Sequence, residues 1–174
     1  MMSGRDGTPP DLNDQIVALL PRLRRFCVVM ARSNDSGDDL CQATVERALS
    51  RRHLFDPATR LDSWMYRIAQ NLHVDRVRRV KTRGQEIDVD DVASVAGDDG
   101  VQIVEGRSAL DRARTAIARL PDDQRALMAI VVFDGKSYGE AATILDIPIG
   151  TVMSRLARAR RAVDAYVNGT NGHG

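Results

Sequence analysis

The chain has 174 residues, enough for one domain or two small ones, with 43% hydrophobic, 28% charged and 4% aromatic residues. That balance predicts an ordinary water-soluble helical protein and argues against a fibrous, disulfide-stapled or membrane-spanning chain. The N-terminus carries no signal-peptide core, so the expected location is the cytoplasm.

The formal net charge of +1 hides an uneven distribution. Residues 1–81 carry a net of +4, residues 82–107 a net of −5, and residues 108–174 a net of +2. Two basic blocks separated by an acidic one predict two domains and a linker. The expected fold class is all-α: two small helical domains, 11–82 and 108–167, joined by a flexible acidic linker over 83–107, with disordered ends at 1–10 and 168–174. Cys27 and Cys41 are the only cysteines, and neither lies in a CxxC pair or beside histidines that would complete a zinc set. Both are read as buried apolar fillers; a redox switch between them has no support in the sequence.

In chain order, a helical pattern starts at Asp11, with Leu12, Ile16, Leu19, Leu20, Leu23, Phe26, Cys27 and Met30 on one broad face. Pro21 lies inside it and predicts a kink or restart. Ser33-Asn34-Asp35-Ser36-Gly37 reads as a turn. A second helix is expected from about Asp38 to Arg51, with Leu40, Cys41, Thr44, Val45, Ala48 and Leu49 facing inward. His53 to Asp62 reads as a loop.

The third helix is expected over Ser63 to Lys81. Trp64, Met65, Ile68, Ala69 and Leu72 fill one arc, with Trp64 in core phase, while Arg67, Gln70, Asn71, Val74 and Arg78 fill another. Its end is strongly basic, with Arg76, Arg78, Arg79, Lys81 and Arg83. Cations there complement the helix dipole, but five in eight residues exceed what capping needs and point to phosphate. Asp75 is expected to orient Arg79 through an i,i+4 pair.

Gln85 to Gly106 has no sustained periodicity. Helical pattern resumes near Ser108 with Leu110, Ala113, Ile117 and Leu120. Pro121 opens another helix through Val132, and Phe133-Asp134-Gly135 ends it. Ser137 to Arg161 then reads as helix, tight turn, helix. Ser137 and Glu140 have capping-box spacing. Ala141, Ala142 and Leu145 make a narrow apolar face. Asp146 falls where the turn wants a residue tolerant of positive φ, and Pro148 stops the first helix. In the second helix Val152, Leu156, Ala159 and Val163 form the buried stripe, and Thr151, Ser154, Arg155, Arg158 and Arg161 lie on the opposite arc. An arginine-rich second helix free of acids is what a major-groove reader needs.

The layout resembles the extracytoplasmic-function class of bacterial RNA polymerase sigma factors. Three segments carry the resemblance, which covers roughly 12–82 and 108–165. Asp38-Asp39-Leu40-Cys41-Gln42-Ala43-Thr44-Val45-Glu46-Arg47-Ala48 looks like the family's polymerase-binding helix. Ser63 to Arg79 looks like its −10 reader, and Leu120 to Arg161 its −35 reader. The resemblance implies a promoter-specificity factor with no catalysis and no cofactor. Its partners would be core RNA polymerase, promoter DNA and an inhibitory anti-sigma factor.

Carried over residue by residue, Asp39, Gln42, Glu46 and Arg47 would meet polymerase. Arg67, Asn71, Arg76, Arg78 and Arg79 would serve the −10 element; Thr151, Ser154, Arg155, Arg158 and Arg161 would serve the −35 element. Ala43 stands where an acid is usual in the family, Gln70 where a base is common, and Asp146 replaces the usual turn glycine. The residues alone also allow a repressor that uses only 108–165, or a sigma-like decoy that binds an anti-sigma partner. An enzyme is disfavoured: His53, His73 and His173 share no motif, and the acid pairs fall in turn or linker.

Overall fold

The computed structural model describes residues 11–84 and 104–169, all of whose regular structure is helical. The N-terminal half holds α1 (Leu12–Ala31), α2 (Asn34–Ser50), a 3-10 turn (Arg52–Leu54) and α3 (Leu61–Thr82). The C-terminal half holds α4 (Val104–Ala118), α5 (Asp122–Leu127), a π-helical stretch (Met128–Phe133), α6 (Tyr138–Leu145) and α7 (Ile149–Gly169). The all-helical expectation holds. Residues 1–10, 170–174 and most of the expected linker lie outside the described residues, but Asn168 and Gly169, expected in a disordered tail, form the end of α7.

In the N-terminal half, Asp11 caps α1 by accepting the Leu12 N–H at 2.8 Å. The helix runs through Pro21 without a restart. Pro21 is exposed, and the carbonyl its ring deprives of a donor belongs to Val17, itself 63% exposed, so water can serve it. Arg32 closes α1 in the left-handed conformation at φ 68°, its N–H on the Val28 carbonyl.

The second helix starts four residues before the expected Asp38. Ser33, read as a turn residue, is its N-cap and accepts the Ser36 N–H at 3.2 Å. Gly37 is a packing residue rather than a breaker: a Cβ there would lie 2.5 Å from the Val28 Cα. Its missing side chain lets α2 cross α1 almost backbone to backbone. Leu40, Thr44 and Ala48 face inward as expected, but Leu49 is 41% exposed. Asp62, read as the last loop residue, is in the first turn of α3 and buried.

In the C-terminal half α4 begins four residues before Ser108. The helix after Pro121 changes to π geometry at Met128. The helix-turn-helix forms as its spacing predicts. Ser137 and Glu140 make the reciprocal capping box, at 3.1 Å and 2.8 Å. Asp146 takes the left-handed conformation at φ 54° that the turn requires. Ala141 and Ile144 of α6 are buried, as are Val152, Leu156 and Ala159 of α7.

The two halves are packed on each other. Buried residues from Ile16 in α1 to Ala159 in α7 form one continuous apolar cluster, and α1 packs on α5 while α3 packs on α6. The first helix of the helix-turn-helix therefore lies on the basic helix of the N-terminal half.

The Gly37 crossing predicts that Gly37→Ala destabilises the chain despite a helix-propensity gain of roughly 1 kcal/mol. The methyl meets main-chain atoms of Val28, which no rotamer change can move aside. Urea unfolding should register a net loss of about 1–2 kcal/mol.

Candidate nucleic-acid interface

The arginine-rich helix α7 is built as an amphipathic element. With Val152, Leu156 and Ala159 buried, Ser154, Arg158 and Arg161 are left exposed on the other side. Thr151 and Arg155 are only partly exposed. Arg155 is held within the protein: its Nε lies 3.1 Å from an Asp123 carboxylate oxygen, and its side chain is 30% exposed. Asp123 projects from the first turn of α5, so the pair ties α7 to the helix beneath it. Arg158 donates only to the Ser154 carbonyl of its own helix, at 3.4 Å.

On α3, Asn71, Arg76, Arg78 and Arg79 are exposed. Asp75 and Arg79 are both exposed, and the structure holds no ion pair between them. Trp64 is half-buried against Phe55, with ring centroids 5.1 Å apart, so the loop after α2 is folded back onto α3. Arg67 has the most informative placement. Its Nη2 donates to the Thr143 carbonyl at 2.5 Å and its Nε to the Ile144 carbonyl at 3.5 Å. Those carbonyls lie in the last turn of α6, which carries no cation of its own. Helix C-termini leave such carbonyls unpaired and favour positive charge. Arg67 supplies the missing cap from the other half of the chain.

On α2, Asp39, Gln42, Glu46 and Arg47 are all exposed on one side of the helix. Gln42 donates to Glu46 one turn on, at 3.0 Å. The four candidate polymerase contacts thus share an open face.

A polar seam missed at the sequence level surrounds these groups. Its first centre is Asp62. Lys136, just after the π-helical stretch, donates to the Asp62 carboxylate, and both side chains are under 10% exposed. Arg60 and Arg22 also reach Asp62, at 3.1 Å and 3.3 Å. Arg22 in turn grips Asp134 bidentately, at 2.8 Å and 2.7 Å, and Arg60 reaches Glu140 at 3.3 Å. The second centre is Asp122. It accepts from Arg125 at 2.6 Å and Arg32 at 3.3 Å, and its other oxygen lies 3.1 Å from His73 Nε2. The buried Arg125 also donates to the Met30 carbonyl at the end of α1, at 2.9 Å, and to the Leu120 carbonyl at 2.7 Å.

Burial opposes ionisation of Asp62, but Arg60 and Lys136 outweigh it and hold the carboxyl well below the usual carboxylate range. Hydrogen bonding to His73, with Arg125 beside it, does the same for Asp122 against burial. A carboxylate whose folded pKa is depressed contributes stability that is complete above its unfolded value of about 3.9 and is lost as pH falls below it. The contribution of these two carboxylates to the seam is therefore complete at neutral pH and is lost in acid. Of the seam's members, only Asp122 and Arg125 have a readable local spacing, i,i+3 on one helix. Arg60 and Asp62 lie two residues apart across the start of α3, and the remaining partners are 40 to 112 residues apart.

Asp62→Asn removes the charge that neutralises a buried lysine, a class of change that costs about 3–5 kcal/mol. Small-angle scattering at neutral pH should show a larger radius of gyration for this variant than for the parent chain. The parent should expand in the same way only below about pH 4.

Comparison with known proteins follows the same division. The family model for Sigma-70, region 4 matches residues 110–163, and that for the Sigma2 domain of PhyR matches residues 16–70. The chain is 33% identical to the ECF RNA polymerase sigma factor EcfG of Rhodopseudomonas palustris, over 94% of this chain and 90% of that one. It is 31% identical to the ECF sigma factor SigW of Bacillus subtilis, over 82% and 81%. Among solved structures, the sigma factor RpoE in complex with the anti-sigma factor NepR, from Bartonella quintana, superposes with a TM-score of 0.76 at 27% identity. That superposition covers 91% of this chain and 97% of that one. Both helical halves are thus matched in order along nearly the whole chain, and the protein belongs to the extracytoplasmic-function family of bacterial RNA polymerase sigma factors, initiation factors that direct transcription rather than catalyse it.

Proposed function

We propose that this chain reads a two-element promoter with its two halves, and that the packed arrangement is the resting form that must open to do so. The observation that carries this reading is the double engagement of Arg67: a side chain on the exposed arc of α3 is spent on the last turn of α6. A guanidinium that caps a protein helix is not free for DNA. The same applies to Arg155 while it pairs with Asp123.

In the open form, Asp39, Gln42, Glu46 and Arg47 of α2 dock on core polymerase through charged and polar groups. Asn71 bonds the edge of an unstacked base in the −10 element, where extrusion costs a few kcal/mol that the pocket must return. Arg67, Arg76, Arg78 and Arg79 hold the phosphates on either side. On the −35 duplex, α7 enters the major groove: Arg155 and Arg158 reach guanine edges or phosphates, and Thr151, Ser154 and Arg161 fix the register. The work is done in the cytoplasm; no helix among the described residues is long and apolar enough to cross a membrane.

An anti-sigma factor would hold the packed form. The support is the RpoE–NepR complex, which superposes on this chain across both halves. A repressor that used only the C-terminal half would have no need for an exposed polar face on α2 or a basic end on α3.

Reconstituted with core polymerase, the chain should direct run-off transcription from a promoter with both elements; failure on every promoter in a genome-wide screen contradicts the reading. Arg155→Ala should weaken use of the −35 element by about 1–3 kcal/mol, selectively for one base pair if the contact is bidentate to a base. Equal loss on all sequences would mark a phosphate contact instead. Asn71→Ala should leave −35 duplex binding intact and reduce permanganate reactivity of the −10 bubble. Normal reactivity in that variant removes Asn71 from the melting site.

A further inference from the structure

Helix α7 carries two apolar stripes. Val152, Leu156 and Ala159 are buried against the protein. Ile149, Met153 and Ala157, at i, i+4 and i+8, are exposed, Ile149 by 52% and Met153 by 55%. Apolar residues scattered singly over a surface are ordinary, but these three lie in one row. The row occupies the N-terminal part of the second helix of the helix-turn-helix, the part of such a helix that reaches base edges. Ser154 and Arg158 lie beside Met153 and Ala157 on the same exposed arc. No acid stands between Ile149 and Val163, whereas Arg155, Arg158, Arg160 and Arg161 do, so the charge around the row suits a polyanion. Gly150, one turn before Met153 and Ser154, is exposed and has no positive φ, and a Cβ added there would meet nothing within 4 Å. Neither packing nor backbone conformation calls for glycine at that position. A bare backbone there lets a ligand approach the helix closely.

We infer that Met153 is a base-reading residue for the −35 duplex, packing its thioether against the C5-methyl of a thymine, with Ala157 as the neighbouring wall. The inference rests on the promoter reading proposed above and adds to it an apolar contact. The major groove offers hydrogen-bond donors and acceptors on the base edges and one apolar group, the thymine methyl. Arginine and serine can satisfy the polar edges, whereas methionine offers only a weak acceptor. Set against a cytosine amino group or a guanine oxygen, Met153 would strip water from a polar atom and return no comparable hydrogen bond. Against a thymine methyl, two apolar groups leave water together. The unbranched methionine chain also fits an irregular surface better than a stiff β-branched one would.

Met153 thus divides the labour on α7. Arg155 and Arg158 take guanine edges or phosphates, and Met153 separates thymine from cytosine at one position. Its side chain is exposed in the free chain, so this contact needs no release from a protein partner, unlike that of Arg155.

The experiment uses holoenzyme reconstituted from the full-length chain and core polymerase, on a promoter from which it initiates. Deoxyuridine, which lacks only the methyl, replaces each thymine of the −35 element in turn on either strand. Binding is read by competition against the unmodified duplex. At one position the replacement should weaken wild-type holoenzyme about fourfold, the effect of one buried methyl. Met153→Ala should bind the thymine and uracil duplexes equally at that position, while Met153→Leu keeps a preference for thymine. Both substitutions fall at an exposed site and keep a strong helix former there, so the fold is preserved. Holoenzyme that transcribes yet binds every deoxyuridine duplex as tightly as the parent overturns the inference and leaves the promoter reading standing. So does a thymine preference that survives Met153→Ala unchanged, which leaves the exposed row to a protein partner. Failure to initiate on any promoter overturns the promoter reading itself, and this contact with it.

Discussion

A carboxylate withdrawn from water must be given cations, and Asp62 takes its cations from both halves of the chain. Lys136 comes from the C-terminal half, Arg60 and Arg22 from the N-terminal half. Remove the contact between the halves and a buried lysine and a buried aspartate lose each other. The same logic governs the second centre, where Arg125 of α5 donates to the last turn of α1 while Asp122 gathers His73 and Arg32. Seam partners are charged, and charges can be rehydrated once parted. The apolar cluster beneath contributes attraction, while the ion pairs fix which faces meet.

The faces that meet take in two of the proposed promoter contacts. Arg67 of α3 caps α6, and Arg155 of α7 is pinned to α5. Ser154, Arg158, Arg161, Asn71, Arg76, Arg78 and Arg79 stay exposed. A chain that belongs to the extracytoplasmic-function sigma family thus folds into a form in which some of its candidate DNA contacts are open and two are occupied by its own helices. Both arginines have protein partners that DNA or polymerase could replace, because a helix carbonyl and a surface carboxylate are also content with water. Opening would exchange one set of charged contacts for another instead of creating bare charge.

What the sequence made legible was local. The capping box at Ser137 and Glu140, the left-handed Asp146 and the buried stripe of α7 are each set by residues within a few positions, and all three form as read. The all-helical class followed from periodicity for the same reason. What was hidden depended on distant partners. Gly37 reads as the last residue of a turn until Val28 lies against it. Pro21 reads as a kink or restart, yet α1 continues through it beside an exposed Val17. Asp62 reads as the end of a loop because nothing near it announces Lys136, 74 positions on. Arg67 is among the −10 contacts that the family resemblance implies, and nothing near it in sequence announces its engagement with Thr143.

If the packed form of the free chain gives way when the promoter is bound, the two halves must move apart. Spin labels at Ser50→Cys and Ala165→Cys, both exposed, in a chain with Cys27 and Cys41 replaced by alanine, report the separation of the halves by double electron–electron resonance. A single narrow distance is expected in the free chain, replaced by a distinctly longer one in holoenzyme on promoter DNA. An unchanged distance distribution in a transcribing holoenzyme would contradict it.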